Sequence, residues 1–347
     1  MNASIAAPHP LARPVAEADT PHVSILDGWR GISILLVLAA HMLPLSPKAL
    51  KLNEAVGMVG MSLFFTLSGF LITKALLKDS SVLPFLIKRL FRIVPLAWTF
   101  VLLVVATQAS SWQTVAANLL FFANNHKPYL FFAGHLWSLS LEMQFYMFVA
   151  LLVAIGGRRA IMALPLLAAA VTLYRAVNGI TAGVHTFDRI DEILAGAILA
   201  IAIGRGWRPS ESWCRPWVWA LLLACNLIGS LPYMQHHFPL LAYLRPYLAA
   251  GAVGLSIFAP DSAVTRYMSS VPLRYVAQIS FALYVLHPLS YKGWLGSGDT
   301  MERYLKRPLC FLLSFAAAHL STFHFERPLN RFGHRLASQV KRGRADP

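Results

Sequence analysis

The chain has 347 residues, 57% of them hydrophobic and only 13% charged, with a mean hydropathy of +0.57. A soluble domain carries roughly a quarter charged residues, so a water-soluble globular fold is excluded. The net charge of +15 does not indicate a nucleic-acid binder, because the Lys and Arg residues are scattered at the ends of apolar runs, where they set membrane topology.

Residues 1–22 lack an apolar stretch and are expected to form a short flexible cytoplasmic tail, not a signal peptide. Beyond them, apolar runs long enough for membrane helices follow one another. The period-2 alternation of a membrane barrel is absent. The predicted spans are 25–45, 56–77, 85–107, 136–155, 160–177, 190–204, 217–231, 241–259, 273–291 and 308–325. The apolar segment 112–123 is too short and is predicted to be interfacial or re-entrant. The expected fold is an all-α polytopic bundle of about ten transmembrane helices. Of the 30 basic residues, nineteen fall in one set of ends and loops and ten in the other, with Arg30 set aside inside the first span. This excess predicts that both termini are cytoplasmic. Cys214, Cys225 and Cys310 show neither metal-ligand nor disulfide spacing, and no metal is expected.

Ionisable residues within spans point to function. The first span reads DGWRGISILLVLAAHM, with Arg30 and His41 separated by about three helical turns and therefore on one face, roughly 16 Å apart along the axis. The third span begins FLIKRLFRIVP. Its Lys88, Arg89 and Arg92 form a basic cluster, and the guanidinium fork suits phosphate. Together with Arg30 they are donor-binding candidates. The fourth span begins GHLWSLSLEMQFYMF, and His135, Ser138, Glu142 and Tyr146 fall on one helical stripe. Glu142 is expected at the depth of His41, where a carboxylate would orient the imidazole or stabilise its charge. Arg189 and Asp191, and His287 further on, are candidates for lining the same site, as are His135, Ser138 and Tyr146. Phe64, Ser68 and Gly69 read as helix-packing residues. The plainer reading of these groups is snorkelling cations, topology signals and structural hydrogen bonds.

These segments resemble, in order, the motifs of the acyltransferase-3 family of membrane O-acyltransferases. DGWRGISILLVLAAH is similar to its Arg-ten-residues-His motif and FFTLSGFLIT to its second-helix motif. KRLFRIVP resembles its Arg-x-x-Arg segment, HLWSLSLEMQFY its Ser-x-x-x-Glu segment, and ISFALYVLHPL and FERPL its closing motifs. Met143 stands where many members have a second acid. The resemblance implies one acyltransferase domain over 23–333, with 334–347 as a basic cytoplasmic tail. It also implies transfer of an acyl group, expected to be acetyl, from cytoplasmic acyl-CoA as co-substrate, with no permanently bound cofactor. The acceptor would be a hydroxyl of an extracytoplasmic or lipid-linked glycan, and the setting the bacterial inner membrane. His41 would act as general base or acyl carrier, assisted by Glu142. A transporter or flippase for a lipid-linked or glycan substrate is the alternative, although the paired half-repeats common in transporters are absent.

Overall fold

The computed structural model describes residues 21–292 and 294–343, and among these there is no strand. The expected tail over residues 1–20, and residues 344–347 of the expected C-terminal tail, lie outside the described residues. So do Arg13 and Arg344 of the charge count. The helices are α1 (Pro21–Met42), α2 (Leu52–Lys78), α3 (Val82–Thr107), α4 (Trp112–Leu119) and α5 (Trp137–Gly156). They continue with α6 (Leu164–Val177), α7 (Thr186–Gly204), α8 (Pro216–Ser230), α9 (Pro232–His237) and α10 (Leu240–Ile257). The last are α11 (Ala263–Met268), α12 (Val271–Leu286), α13 (Pro288–Tyr291), α14 (Thr300–Leu320) and α15 (Arg327–Arg342).

Each of the ten predicted spans coincides with one of these helices. The 112–123 segment forms only the short α4. Seven helices are long and apolar enough to cross a membrane, by length and composition, among the described residues. The other three of the ten fall short for visible reasons. Helices α8 and α12 are shorter than a bilayer-length apolar run, and α7 opens with Asp188, Arg189, Asp191 and Glu192. The protein is an integral membrane protein of helical architecture.

Helix α2 is the centre of the bundle, packed along α1 and α7. The α2–α7 crossing is close because both helices present glycine there. A Cβ on Gly69 would collide with the Ile193 carbonyl, and one on Gly196 with the Thr66 carbonyl. With no hydrophobic drive between helices in lipid, such close backbone approach supplies the packing energy. At its start α2 caps α1. Asn53 donates to the carbonyls of Ala40 and Leu43 and accepts from the Leu45 amide, which satisfies carbonyls that a helix end leaves free.

The last helix departs most from expectation. A π-helical stretch, Ser321–Glu326, joins α14 to α15, so the helix runs from Thr300 to Arg342 without a break. At 1.5 Å per residue that is about 64 Å, well beyond a bilayer's apolar thickness of about 30 Å. The boundary expected at 333 falls inside α15. There Gly333 packs on Phe91, and the Phe91 and Phe332 rings lie 5.4 Å apart, against α3. Lys341 reaches Asp79 in the α2–α3 turn at 2.7 Å. That bond and the Ser81 amide hold the Asp79 carboxyl well below the usual carboxylate range. The start of α1, where Ser24 bonds Ser269 at 2.9 Å, and the end of α15 lie at the same end of the bundle as this turn.

Gly69→Leu is expected to prevent the α2–α7 approach and lower the apparent melting temperature in detergent by several degrees, since overpacking costs about 1–3 kcal/mol. Gly69→Ala should fall between. A wild-type melting curve for the leucine variant would contradict the close-crossing account.

Candidate functional site

Most of the polar groups singled out in the sequence line a series of linked cavities that runs through the bundle; Ser138, Asp191 and His287, expected to line the site, are buried and line none of them. At the end holding the α2–α3 turn is a mouth of about 350 Å³, lined by Asp79, Ser81, Lys88, Arg89, Arg92 and His334 among others. Arg89 and Arg92 also line the next space, an inner chamber of about 200 Å³ that holds Arg30, Ser68, Glu142 and Tyr146. Above it the path narrows to a slit of about 10 Å³, bounded by Ser33, Val37, Met61, Phe64, Ser280 and Tyr284. That is about one water in size. Val37, Met61 and Tyr284 in turn line an outer chamber of about 510 Å³, which contains His41.

Helical spacing explains the layout. On α1, Arg30 lines the inner chamber, Ser33 and Val37 the slit, and His41 the outer chamber. On α5 and the turn before it, His135 lines the outer chamber, and Glu142 and Tyr146 the inner one. Between them Ser138 is buried and bonds Tyr284. The two polar stripes therefore flank the same path over its length.

Glu142 and His41 do not pair, which corrects the expectation. His41 is the penultimate residue of α1, so it sits at the outer end. Glu142 lies seven residues beyond His135, about 10 Å further toward the basic end. Its carboxylate accepts hydrogen bonds from Ser68 and Tyr146 instead. Ser68, expected only to pack helices, thus presents its hydroxyl to the inner chamber, while its neighbour Gly69 makes the close crossing. Around the carboxylate stand three guanidiniums. Arg30 bonds Asp27 at 3.2 Å, Arg89 lies over the Phe85 and Tyr146 rings, and Arg92 completes the set.

The partner of His41 is His287. The His41 Nδ1 lies 3.0 Å from the His287 Nε2, and the two rings stack with centroids 5.1 Å apart. Carbonyl oxygens fix the tautomers. The His287 Nδ1 faces the oxygens of Tyr284 at 2.8 Å and Leu283 at 3.2 Å. A carbonyl can only accept, so in neutral His287 this nitrogen carries the proton and Nε2 is the acceptor. His41 must then donate from Nδ1, which leaves the lone pair of its Nε2 free on an exposed ring in the outer chamber. That is the state a general base or an acyl carrier requires. His135 packs edge-on to His287 at 5.2 Å and bonds the Val285 carbonyl at 3.2 Å.

The Arg189–Asp191 pair is split. Arg189 lines the outer chamber. Asp191 lines none of these cavities and pairs with the buried Arg175. The outer chamber also has residues not singled out from the sequence: Asn53, Glu54, Trp137, Tyr291 and Lys292. No cluster of potential metal ligands occurs among the described residues.

The family model described as an acyltransferase domain matches residues 23–323. The chain belongs to the acyltransferase-3 family. A Staphylococcus aureus (strain COL) relative, provisionally named an O-acetyltransferase, is 26% identical over 321 aligned residues, covering 76% of this chain and 49% of the relative. A Bacillus subtilis (strain 168) relative, provisionally named a peptidoglycan O-acetyltransferase, is 26% identical over 309 residues, with 76% and 47% covered. A Komagataeibacter xylinus relative, provisionally named a membrane-bound transacylase, is 28% identical over 292 residues, with 76% and 71% covered. The chain spans about half the length of the Staphylococcus and Bacillus relatives. No solved structure matches it. The family is one of acyltransferases, and the His41 Nε2 lone pair opens onto the outer chamber.

His287→Leu removes the acceptor that fixes the His41 tautomer and should lower acyl-transfer kcat by about 100-fold or more, the range of general base catalysis. His287→Gln restores an acceptor and should recover part of it. Equal loss in both variants at matched protein levels would remove the tautomer role.

Proposed function

We propose that this acyltransferase moves an acyl group, expected to be acetyl, from cytoplasmic acyl-CoA to a hydroxyl of an extracytoplasmic or lipid-linked glycan. The carrying observation is the series of cavities that leads from a basic mouth to an unprotonated imidazole nitrogen at the opposite end. The names of the relatives support the class of reaction.

In this reading the chain crosses the bacterial inner membrane ten times, with both termini in the cytoplasm. The coincidence of ten helices with the ten predicted segments supports the count. The basic excess at the end holding the mouth supports the orientation. Lys88, Arg89 and Arg92 hold the donor's phosphates, Arg forks suiting them best. The thioester arm passes Arg30 and Glu142 and enters the slit. In the outer chamber the acceptor hydroxyl gives its proton to the His41 Nε2 and its oxygen attacks the thioester carbonyl. The C–S bond breaks, and the leaving thiolate takes the proton from the imidazolium, which His287 supports through its Nε2. If His41 carries the acyl group instead, the same lone pair attacks first, and rapid quenching would trap an acyl-imidazole.

The test uses membranes and labelled acetyl-CoA. His41→Ala should abolish transfer while the protein still accumulates. Arg89→Ala or Arg92→Ala should weaken donor use about 10- to 150-fold, the worth of one charge-assisted contact of about 1.5–3 kcal/mol. Substantial transfer by His41→Ala, or substrate movement without covalent change, would overturn the proposal. For topology, a reporter active only outside the cytoplasm and fused after Arg342 should stay silent; strong activity there would refute the cytoplasmic assignment.

A further inference from the structure

We propose that the outer chamber is built for an acceptor bearing one negative charge, a carboxylate or phosphate, which Arg189 and Lys292 hold while a neighbouring hydroxyl meets His41. This rests on reading that chamber as the acceptor side.

The starting point is a charge count. Beside the chamber, α6, α7 and α10 bring three guanidiniums to two carboxylates, all buried. Arg175 takes Asp191 and also donates to the carbonyls of Ile180 and Thr181. Glu192 is shared, with Arg245 and Arg189 each at 3.1 Å. The cluster therefore holds one cation more than its anions can match. Removing a partner from a buried ion pair costs about 3–5 kcal/mol, so an unmatched cation here needs an outlet. Of the five residues only Arg189 lines the chamber. Its Nε is buried and has no hydrogen-bond partner, and its guanidinium lies over the Trp137 ring at 5.4 Å, which holds the planar fork in place. Arg245 also leaves its Nη1 without a hydrogen-bond partner but is sealed from the chamber, so Arg189 is where the cluster opens onto it.

The chamber's other charges leave that excess standing. Lys292 adds a cation, its Nζ on the Phe131 carbonyl and over the Phe131 ring. Glu54 adds one exposed anion. Four cations in the cluster and chamber face three anions, and one anionic ligand group would balance them. The aromatic faces of Trp137, Tyr284 and Tyr291 and the amide of Asn53 fill out the lining. At about 510 Å³ the chamber is of a size that takes a sugar unit.

The test is binding, so that it reads independently of transfer. The full chain in detergent is titrated with glucuronic acid, glucose 6-phosphate and glucose, following thermal stabilisation. At least one anionic sugar should bind at least about tenfold more tightly than glucose, the worth of one charge-assisted contact. Lys292→Gln, a loop substitution, should erase most of that difference, and Arg189→Gln all of it if the variant folds. Preference for glucuronic acid alone identifies a carboxylate, and for the phosphate alone a phosphate. Equal binding of all three sugars, no binding of any, or a preference that survives in Lys292→Gln, overturns the inference. Acetyl-CoA consumption in the same preparation reports separately on the transferase reading.

Discussion

A charge enclosed by helices that stand in hydrocarbon must meet a partner or open onto a polar space. Much of this structure follows from that constraint. Groups that have partners stay sealed: Asp191 with Arg175, and Glu192 between Arg189 and Arg245. Groups with spare capacity line the path: Arg30, Arg89 and Arg92 below the slit, His41 and Lys292 above it. The close crossing of α2 and α7 at Gly69 and Gly196 brings these two sets beside each other. Ser68 of α2 then faces the inner chamber, and Arg189 of α7 faces the outer one.

The two histidines show how a backbone can prepare a side chain for chemistry without a carboxylate bonded to either ring. Helix α12 ends at Leu286; the His287 amide bonds the Leu283 carbonyl, while the Tyr284 carbonyl has no onward helical donor because residue 288 is proline. Both carbonyls take the His287 Nδ1 proton. That choice passes through the ring to Nε2 and on to His41. A carboxylate beside His41 would raise its basicity more, but in the proposed reading it would also place an anion where the acceptor approaches. Glu142 stays in the inner chamber among guanidiniums, where its charge is matched.

Much of this was legible in the sequence because the membrane imposes simple periods. Apolar runs place most of the helices within a few residues; the last, expected over 308–325, begins at Thr300 and continues to Arg342. The helical repeat put Arg30 and His41 on one face, and His135, Ser138, Glu142 and Tyr146 on another. Pairing between faces was not legible. Depth along the spans pairs Glu142 with His41, but α1 ends one residue after His41, whereas α5 begins two residues after His135, which sets the two groups at different levels. His287 was visible as a polar residue near a span's end, but nothing local says that its ring meets a residue 246 positions away. The continuation through the π-helical stretch was also hidden, because α15 is strongly amphipathic and reads as a basic tail. Its support comes from Phe91 on a distant helix.

The narrowness of the slit has an electrical consequence. Where two polar cavities approach each other across a thin dry layer, the membrane voltage falls mainly across that layer and not over the full bilayer. In this protein the layer is the one bounded by Phe64 and Tyr284, whose rings lie 6.2 Å apart. Carrying one elementary charge through the whole potential takes about 2.3 kcal/mol per 100 mV. A neutral thioester arm passes with no electrical work, whereas a phosphate carried with it would do work against or with the field. In the proposed reading the slit would therefore sort the two ends of the donor by charge as well as by width, admitting a neutral reactive end and holding an anionic end at the basic mouth.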